Sequence, residues 1–567
     1  MRLSENQAAT VVQMWVSRVR ADADKTGMLV KRDGQYQPVT WGEIGREIRR
    51  AAAVLVSLGV EPGDRVSLLS KNRYEWVIAD AAIQMARAVN VPIHASLSGP
   101  QVSYQIIDSG SKVVILSGPD QTEKLEDEAA KFDDSLKFVS FDPCPAPLGQ
   151  FKVSLLSDLT AKVDDKVAEK VEQEGNDLVK PDDLATIIYT SGTTGEPKGA
   201  MLTQSNLTSN TFAMMSTFEQ LEDDVRLSWL PLSHIFARTC DLYTWVASGI
   251  VMALADSPEA SIGNCQEVHP TLINGVPYFF DKLQRFLISQ NMHTIPGALQ
   301  GMLGGRARMC GSGGAPLADH THLFYKEQGV FISQGYGLTE TSPTISTGRL
   351  SDTKVGTVGR LLPGVQVKIT EEGEICTKGP HVMRGYWKRP DATAEVIQDG
   401  WFHTGDIGEI DSEGYLKITG RKKELIVTNA GKNIAPINLE ALLCHDPLIA
   451  QALVIGDRRN YLTALIVPNP EPLMAAIKEL EIPVKSVAEA LEDHQVRELY
   501  AAHIAQRLAD VSHYEQVQKF KLLAQPFTVD NQQMTLKLSL RRKVIEAAYA
   551  NEIEAMYAPA PVATAAK

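Results

Sequence analysis

Apolar residues in the N-terminal part of the chain follow two periods, one typical of helices and one typical of buried strands. Between residues 41 and 58 they recur every third or fourth position, at Ile44, Ile48, Ala52, Leu55 and Leu58. This spacing, followed by Gly59, predicts an amphipathic helix with a C-terminal glycine. Short apolar runs at residues 65–69 and 112–116 predict strands, and helix-like stretches separate them. Such alternation predicts a largely parallel α/β sheet.

Two changes of pattern divide the chain further. Residues 159–183 are polar and charged, which indicates a solvated helix and connector. Between residues 352 and 415, short β-like runs alternate with Gly and Pro turns and predict a small β-rich subdomain. Mixed helix and strand patterns return after the charged segment 421–424. We therefore predict an α/β N-terminal domain at 1–420, a hinge at 421–424, a smaller α+β domain at 425–557 and a disordered tail at 558–567.

The bulk composition narrows the class of protein. A chain of 567 residues is too long for one hydrophobic core, and its net charge of −13 argues against binding nucleic acid. Six scattered cysteines without a Cys-x-x-Cys pair fit a cytoplasmic enzyme with reduced thiols. No secretory signal or run of about 20 apolar residues is apparent in the sequence. We expect a soluble protein, and peripheral membrane contact stays open.

The richest chemistry lies after an apolar strand that ends near Thr190. The loop 190–199 combines glycines, a lysine and several hydroxyl groups: Thr190, Ser191, Gly192, Thr193, Thr194 and Lys198. Glycines let backbone N–H groups face an anion, hydroxyls add donors, and the lysine adds a compact positive charge. The pattern is not a Walker A loop, because Pro197 and Gly199 flank the lysine. It predicts a polyphosphate site; the alternative is a linker rich in Ser, Thr and Gly.

A second glycine-rich segment spans residues 334–341. Gly335 and Gly337 flank Tyr336, so the ring can lie against a backbone strip. Thr339 offers a phosphate donor, and Glu340 is a hard oxygen ligand suited to Mg²⁺. The alternative is a glycine-rich turn around a buried tyrosine. Because the chain also carries a predicted polyphosphate loop, we interpret the segment as part of a nucleotide site.

Three further features complete a nucleotide site. Gly311, Gly313 and Gly314 permit close approach of a flat base, next to Ala315 and Pro316. Asp406 follows Trp401 at a predicted strand end, where a carboxylate can accept hydrogen bonds from ribose hydroxyls. Arg421 lies fifteen residues later and can span ribose and phosphate with its fork of donors.

These motifs, in this order, resemble the adenylate-forming superfamily of acyl-CoA synthetases, peptide-synthetase adenylation domains and luciferases. The resemblance rests on residues 190–199, 334–341, 400–406, 420–424 and a lysine-bearing C-terminal segment, and it extends from about residue 40 to residue 557. Residues 230–238 and 420–427 are most similar to bacterial long-chain fatty acyl-CoA synthetases.

The resemblance implies a two-step, ATP-dependent and Mg²⁺-dependent reaction. A medium- or long-chain fatty acid would form an acyl-adenylate and pyrophosphate, the C-terminal domain would swing about Lys423, and CoA would then take the acyl group. The roles carried over are as follows: Ser191 to Lys198 for the β- and γ-phosphates, Gly314 to Pro316 with Gln334 and Tyr336 for adenine, Thr339 for the α-phosphate, Glu340 for Mg²⁺, Asp406 with Arg421 for ribose. His234 would lie by the reacting carboxylate, or is a packed histidine at a helix start.

The chain departs from the family pattern at its C-terminal lysine. With the arginines at 541 and 542 in register, the family lysine that meets the α-phosphate falls on Ser539, and Lys537 stands two residues earlier. Residues two apart in an extended segment share a face and lie roughly 6–7 Å apart. We therefore predict that Lys537 is the catalytic cation; the alternative is a solvated lysine and an impaired first step.

A second departure lies in the loop that would line the thiol tunnel. Relatives usually have glycine where Ala430 stands, next to Gly431, and the added methyl group can narrow the tunnel. The acceptor thus stays open between CoA and an acyl carrier protein. A nucleotide-binding homologue with impaired catalysis is the remaining alternative, and a homodimer is a family-level expectation.

Overall fold

The described part of the chain divides into two units by its backbone contacts. A computed structural model describes residues 2–4, 7–190, 196–429, 432–484, 486–528, 530–534 and 540–558. Unit 1 consists of Met1–Lys368, Cys376–Thr404 and Ile410–Lys417, and unit 2 consists of Ile369–Ile375, Gly405–Glu409 and Ile418–Lys567. Each unit has its own hydrophobic clusters, so each is described by itself.

The helices and strands follow in chain order. The α-helices are α1 (Val11–Asp22), α2 (Trp41–Ser57), α3 (Tyr74–Met85), α4 (Gly99–Ser109), α5 (Pro119–Leu125), α6 (Leu156–Thr160), α7 (Asp165–Leu178), α8 (Gln204–Met215), α9 (Ile235–Ala237), α10 (Thr244–Ser248) and α11 (Ser261–Val268). They continue with α12 (Pro277–Ser289), α13 (Ala298–Met302), α14 (Asp319–Glu327), α15 (Pro390–Val396), α16 (Pro436–Cys444), α17 (Pro470–Glu479), α18 (Val487–Ala490), α19 (His494–Arg507), α20 (Arg542–Ala548) and α21 (Ala550–Tyr557). A π-helix spans Arg238–Tyr243.

The first strands are β1 (Thr26–Arg32), β2 (Gln35–Thr40), β3 (Arg65–Leu69), β4 (Val89–Ile93), β5 (Ser111–Leu116), β6 (Lys137–Ser140), β7 (Val153–Leu155), β8 (Leu184–Thr190) and β9 (Lys198–Thr203). Next come β10 (Val225–Ser228), β11 (Val251–Leu254), β12 (Leu272–Gly275), β13 (Met309–Ser312), β14 (Ile332–Gly337), β15 (Thr344–Thr347), β16 (Arg360–Leu361), β17 (Gln366–Ile369) and β18 (Glu374–Lys378). The last are β19 (Gly385–Tyr386), β20 (Ile397–Gln398), β21 (Trp401–Ile410), β22 (Leu416–Arg421), β23 (Ile426–Val427), β24 (Asn433–Ile434), β25 (Ile449–Ile455), β26 (Leu462–Pro468) and β27 (Val517–Leu522).

Unit 1 contains two large, mostly parallel sheets. The nine-stranded sheet has the order β16-β15-β14-β13-β12-β10-β11-β1-β2, and the eight-stranded sheet has the order β19-β9-β8-β4-β3-β5-β6-β7. Antiparallel pairs occur toward their edges, where β1 meets β2, β14 meets β15 and β8 meets β9. The prediction of a largely parallel α/β architecture is confirmed.

Local sequence signals account for the first predicted helix. Thr40 accepts a hydrogen bond from the Glu43 backbone N–H, and the Glu43 carboxylate accepts one from the Thr40 backbone N–H at 2.8 Å. This reciprocal pair satisfies donors that a helix N-terminus leaves open. The buried face of α2 includes Trp41, which stacks on Trp245 with ring centroids 4.4 Å apart. One hydrophobic cluster joins this helix to both large sheets, through residues such as Leu68 and Met252.

The β-rich region predicted from residue 352 to residue 415 forms a five-stranded sheet. Its order is β17-β18-β21-β20, with β22 paired to β21. The short β-like runs noted in the sequence of this region include residues 365–369 and 374–377, which correspond to β17 and β18. The charged stretch at residues 159–183 contains α7, of which Ala168, Val171 and Gly175 are buried.

Unit 2 is built around a three-stranded sheet with the order β25-β26-β27. Strands β25 and β26 are antiparallel, whereas β26 and β27 are parallel. Helices α16 and α19 contribute Leu439, Leu443, Tyr500 and Ile504 to the cluster on the sheet. The predicted tail lies almost wholly outside the described residues, since the last of these is residue 558. Among the described residues, no helix has the length and apolar content needed to cross a membrane.

Candidate active site

The predicted base-binding segments of unit 1 lie side by side at the carboxyl ends of neighbouring strands. Strands β12, β13 and β14 are parallel neighbours, with Gly275 opposite Ser312 and Ser312 opposite Gln334. The segment 313–316 therefore follows β13 next to Gly335, Tyr336 and Gly337 in β14. Crevices at the carboxyl ends of parallel strands are the common ligand sites of α/β sheets.

Close packing requires a glycine at position 337 and leaves little room for a side chain at position 313. A Cβ atom on Gly337 would lie 1.8 Å from the Pro343 carbonyl oxygen, a distance that excludes any side chain. A Cβ atom on Gly313 would lie 3.1 Å from the Phe236 ring. The Phe236 contact brings the segment that carries His234 against the predicted adenine segment, a juxtaposition that the sequence did not indicate.

Gly314, Ala315 and Pro316 follow in an accessible loop. Gly314 has a φ of +85°, in the left-handed region that favours glycine. Gly314 and Pro316 are exposed, and Ala315 is half-buried. The loop thus offers backbone to a ligand, as its predicted role requires, while that role stays a prediction.

The phosphate-loop residues are described only in part. Thr190 ends β8 and pairs with Lys198 at the start of the antiparallel β9. The loop between them includes Ser191, Gly192, Thr193 and Thr194, which lie outside the described residues. The fold therefore fixes both ends of the predicted polyphosphate loop on one strand pair.

Tyr386 connects the predicted phosphate lysine to the predicted metal ligand. The Lys198 ammonium lies over the Tyr386 ring, 5.3 Å from its centroid. The Tyr386 hydroxyl donates a hydrogen bond to Glu340 Oε1 at 2.8 Å. Burial above all, with the adjacent Glu340 carboxylate, raises the pKa of Tyr386 well above its ordinary value, so the phenol remains a donor at neutral pH. A cation, a ring and a carboxylate thus form one contiguous group, which we term the Lys198–Tyr386–Glu340 triad.

Glu340 belongs to a tight turn after β14. Thr339–Thr341 form a 3₁₀-helix in which Thr339 and Glu340 are 4% and 9% exposed. The Met383 backbone N–H donates to the Glu340 carbonyl oxygen at 2.8 Å. Because the Tyr386 hydroxyl orients its carboxylate, Glu340 has the arrangement common among metal-binding carboxylates. The residue fits a hard divalent cation such as Mg²⁺.

His234 caps the short helix α9. The Phe236 backbone N–H donates to His234 Nδ1 at 3.2 Å. This position matches the helix-start alternative for the residue, and its predicted place beside the reacting carboxylate stays a prediction.

In unit 2, the two predicted ribose residues meet directly. Asp406 in β21 and Arg421 at the end of β22 form an ion pair, with Arg421 Nε 2.8 Å from Asp406 Oδ1. The Asp406 side chain is 5% exposed and that of Arg421 is 50% exposed. A buried carboxylate thus holds the guanidinium of a half-exposed arginine.

The remaining predicted residues of unit 2 are partly outside the described chain. Lys423 lies in a 3₁₀-helix formed by Lys422–Glu424. Ala430, Gly431, Lys537 and Ser539 lie outside the described residues. The thiol-tunnel role and the displaced lysine therefore stay predictions.

Tyr386 is the functional residue that sequence reasoning missed. It lies 46 residues from Glu340 in the chain, in the short edge strand β19, which pairs with β9 immediately after Lys198. In the sequence it stands between Gly385 and Trp387, and nothing there marks its hydroxyl as a partner of Glu340. Only the pairing of β19 with β9 shows why the residue matters.

Glycine-rich turns at the carboxyl ends of parallel strands, together with a lysine and a carboxylate, are typical of nucleotide-binding α/β enzymes. The family model of the AMP-binding enzymes matches residues 17–387, and that of the AMP-binding enzyme C-terminal domain matches residues 423–561. The chain therefore belongs to the AMP-binding enzymes, the adenylate-forming superfamily.

Individual relatives agree with this placement. The chain is 34% identical to the long-chain-fatty-acid–CoA ligase FadD15 of Mycobacterium tuberculosis, over 93% of each protein. It is 29% identical to long chain acyl-CoA synthetase 1 of Arabidopsis thaliana, over 92% of this chain and 88% of the relative. The ATP-bound crystal structure of MatB from Rhodopseudomonas palustris superimposes with a TM-score of 0.74 at 24% identity, covering 96% and 99% of the two chains. This last likeness shows the shared fold.

Proposed function

We propose that the protein activates a medium- or long-chain fatty acid with ATP and transfers the acyl group to CoA. The Lys198–Tyr386–Glu340 triad carries the proposal, because it sets a cation and a carboxylate suited to Mg²⁺ beside glycine-rich strand ends in an AMP-binding enzyme. The substrate class follows from relatives that are named long-chain fatty acid–CoA ligases.

In the proposed first step, a carboxylate oxygen of the fatty acid attacks the α-phosphorus of ATP. The bond from that phosphorus to the pyrophosphate oxygen breaks, so acyl-AMP and pyrophosphate form. Lys198 attracts the leaving pyrophosphate, and Thr339 donates to the α-phosphate, where negative charge accumulates. Lys537 would add positive charge at the same phosphate. Asp406 and Arg421 hold the ribose.

Glu340 would hold Mg²⁺, with Tyr386 orienting the carboxylate. The bound ion would neutralise charge on the phosphate oxygens. Tyr386 contributes in its own right, since its hydroxyl fixes Glu340 and its ring faces the Lys198 ammonium. These contacts preorganise the charges before substrate binds.

In the proposed second step, the CoA sulfur attacks the acyl carbonyl carbon. The bond from that carbon to the AMP oxygen breaks, and the thiol proton is lost, which gives a thioester and AMP. Rotation about Lys423 and a thiol tunnel at Ala430 and Gly431 are part of the proposal. The cytoplasm is the compartment that we propose, because none of the six cysteines, all within the described residues, is in a disulfide, and stable thiols are typical of reducing compartments.

Pyrophosphate exchange tests the first step. Fatty-acid-dependent exchange of labelled pyrophosphate into ATP should appear with medium- or long-chain acids, and Glu340→Gln should depress it. Absence of exchange across a panel of carboxylic acids would refute the proposal.

The acceptor is tested separately. Thioester formation should follow when CoA is added with the fatty acid and ATP. An acyl carrier protein added in place of CoA is the comparison. Thioester on the carrier protein alone would overturn the CoA part of the proposal and leave adenylation intact.

A further inference from the structure

A buried π-helix follows the segment that carries His234. Residues Arg238–Tyr243 form it, and every one of the six is buried. The Arg238 backbone N–H donates to the His234 carbonyl oxygen at 3.1 Å, so the π-helix continues directly from the short helix α9. Single π-turns often mark functional positions, because they impose an irregular backbone that a regular helix avoids.

Two fully buried ion pairs fix this π-helix from opposite sides. Arg238 pairs with Asp80 of α3, and its other Nη donates to Thr186 Oγ1 of β8 at 2.7 Å. Asp241 pairs with Arg226 of β10 at 2.9 Å. Thr186 belongs to the eight-stranded sheet and Arg226 to the nine-stranded sheet. The π-helix is therefore held in a defined position by both sheets of unit 1.

Between these anchors, Thr239 points to the turn that follows Glu340. Its hydroxyl donates to the Ser342 carbonyl oxygen at 2.9 Å, and both residues are fully buried. The hydrogen bond joins positions 103 residues apart in the chain. It links the His234 side of the site to the turn that bears Thr339 and Glu340.

Ser342 has a backbone conformation that needs such support. Its φ is +69°, in the left-handed region that a serine seldom adopts. Residues of this kind persist where surrounding contacts fix them, and they cluster at ligand sites. The Ser342 hydroxyl donates to the His381 carbonyl oxygen at 2.9 Å, and the Thr239 hydroxyl binds the same residue through its carbonyl. The two bonds hold the turn from opposite directions.

We propose that Thr239 is a positioning residue for adenylation. Its hydrogen bond to Ser342 holds the turn with Thr339 and Glu340 in register with the segment that carries His234. The acyl carboxylate and the α-phosphate must meet in a defined geometry, and small displacements of either group are costly to the rate. The inference rests on the proposed function, because it assigns the turn to the phosphate and metal side of the reaction.

The chain offers a matched pair of substitutions for the test. Thr239→Val removes the hydroxyl with little change of shape, whereas Thr239→Ser keeps a hydroxyl at this position. Thr244→Val is the control, because Thr244 is equally buried but its hydroxyl bonds within its own helical segment, to the Cys240 carbonyl at 2.6 Å. Both valine variants thus lose one buried hydroxyl, and only one loses the link to Ser342.

Fatty-acid-dependent pyrophosphate exchange is measured against the concentrations of Mg²⁺, ATP and fatty acid, with urea unfolding in parallel. For Thr239→Val we expect kcat to fall about tenfold, the effect of losing one buried hydrogen bond. We also expect half-maximal exchange to need more Mg²⁺. The KM for the fatty acid should stay unchanged. Thr239→Ser should recover exchange to within about twofold of the wild type, and Thr244→Val should resemble the wild type.

Several results would overturn the inference. It is wrong if Thr239→Val and Thr244→Val lose the same activity, if the Mg²⁺ requirement does not move, or if Thr239→Ser fails to restore kcat. Should Thr239→Val not fold, Thr239→Ala removes the same hydroxyl and carries the same expectations. An inactive wild type would instead refute the proposed function, so the two failures are distinguishable.

Discussion

At the residue scale, Tyr386 is the most informative side chain of unit 1, because it contacts two charged groups through different atoms. Its hydroxyl binds Glu340 and its ring faces Lys198. Tyr386→Phe keeps the ring and removes the hydroxyl. We expect pyrophosphate exchange to fall about tenfold, since an oriented carboxylate loses its hydrogen-bond donor. The Mg²⁺ concentration for half-maximal exchange should rise, which a metal titration measures.

A matched control is available in unit 2. The hydroxyl of the buried Tyr500 donates to the Leu448 carbonyl at 2.8 Å, so Tyr500→Phe loses a comparable hydrogen bond elsewhere. It should reduce stability and leave the Mg²⁺ requirement unchanged. Equal Mg²⁺ dependence in wild type and Tyr386→Phe would contradict the role given to Tyr386.

The displaced lysine is a second question at this scale. If Lys537 takes the role that the family gives to the position of Ser539, Lys537→Ala should lower exchange at least about 100-fold, because an electrostatic contact to the transition state is lost. Ser539→Ala should have little effect. Lys543→Ala removes an exposed lysine six residues away and serves as the control. Wild-type exchange by Lys537→Ala would show that this lysine is a solvated surface residue.

At the scale of elements, the buried pair of Arg238 and Asp80 holds the π-helix. Both side chains have no exposed surface. Arg238→Met would leave the Asp80 carboxylate buried without its ion partner, so we expect a loss of about 3–5 kcal/mol in the free energy of unfolding. Arg238→Met combined with Asp80→Leu should lower the free energy of unfolding less than Arg238→Met alone, because no uncompensated charge remains. Urea unfolding followed by tryptophan fluorescence measures both.

The surface pair of Arg50 and Asp165 supplies the comparison. Its side chains are 25% and 61% exposed, and exposed pairs contribute no more than about 1 kcal/mol. Arg50→Met should therefore be nearly neutral. A double variant less stable than Arg238→Met would show that the buried pair stabilises through packing and hydrogen bonds rather than through charge compensation.

Elements with local signals could be predicted from the sequence, and elements fixed by distant contacts could not. Thr40 and Glu43 cap α2 within four residues of each other, and the apolar spacing after them gave the helix correctly. Motif order within the family predicted a shared ribose role for Asp406 and Arg421, whereas their ion pair is seen only in the structure. By contrast, the π-helix depends on Asp80, which lies 158 residues from Arg238 in the chain. Its apolar neighbours predict only a buried segment.

At the scale of the whole molecule, the distribution of tryptophans separates the two units experimentally. The chain has seven tryptophans, at positions 15, 41, 76, 229, 245, 387 and 401, and all of them fall within unit 1. The hydrophobic clusters of described residues are also confined to one unit or the other. Tryptophan fluorescence therefore reports the unfolding of unit 1, whereas far-UV circular dichroism reports both units.

We expect the two signals to give different urea transitions, because each unit has its own core. Ile466→Ala leaves a cavity at the sheet of unit 2, where Ile466 is fully buried. It should lower the free energy of unfolding by about 2–5 kcal/mol. It should shift part of the dichroism curve and leave the fluorescence curve in place. Ile44→Ala, at an equally buried site of unit 1, should move the fluorescence curve. If Ile466→Ala shifts both curves together, the units unfold as one cooperative body, and the separate cores do not confer separate stability.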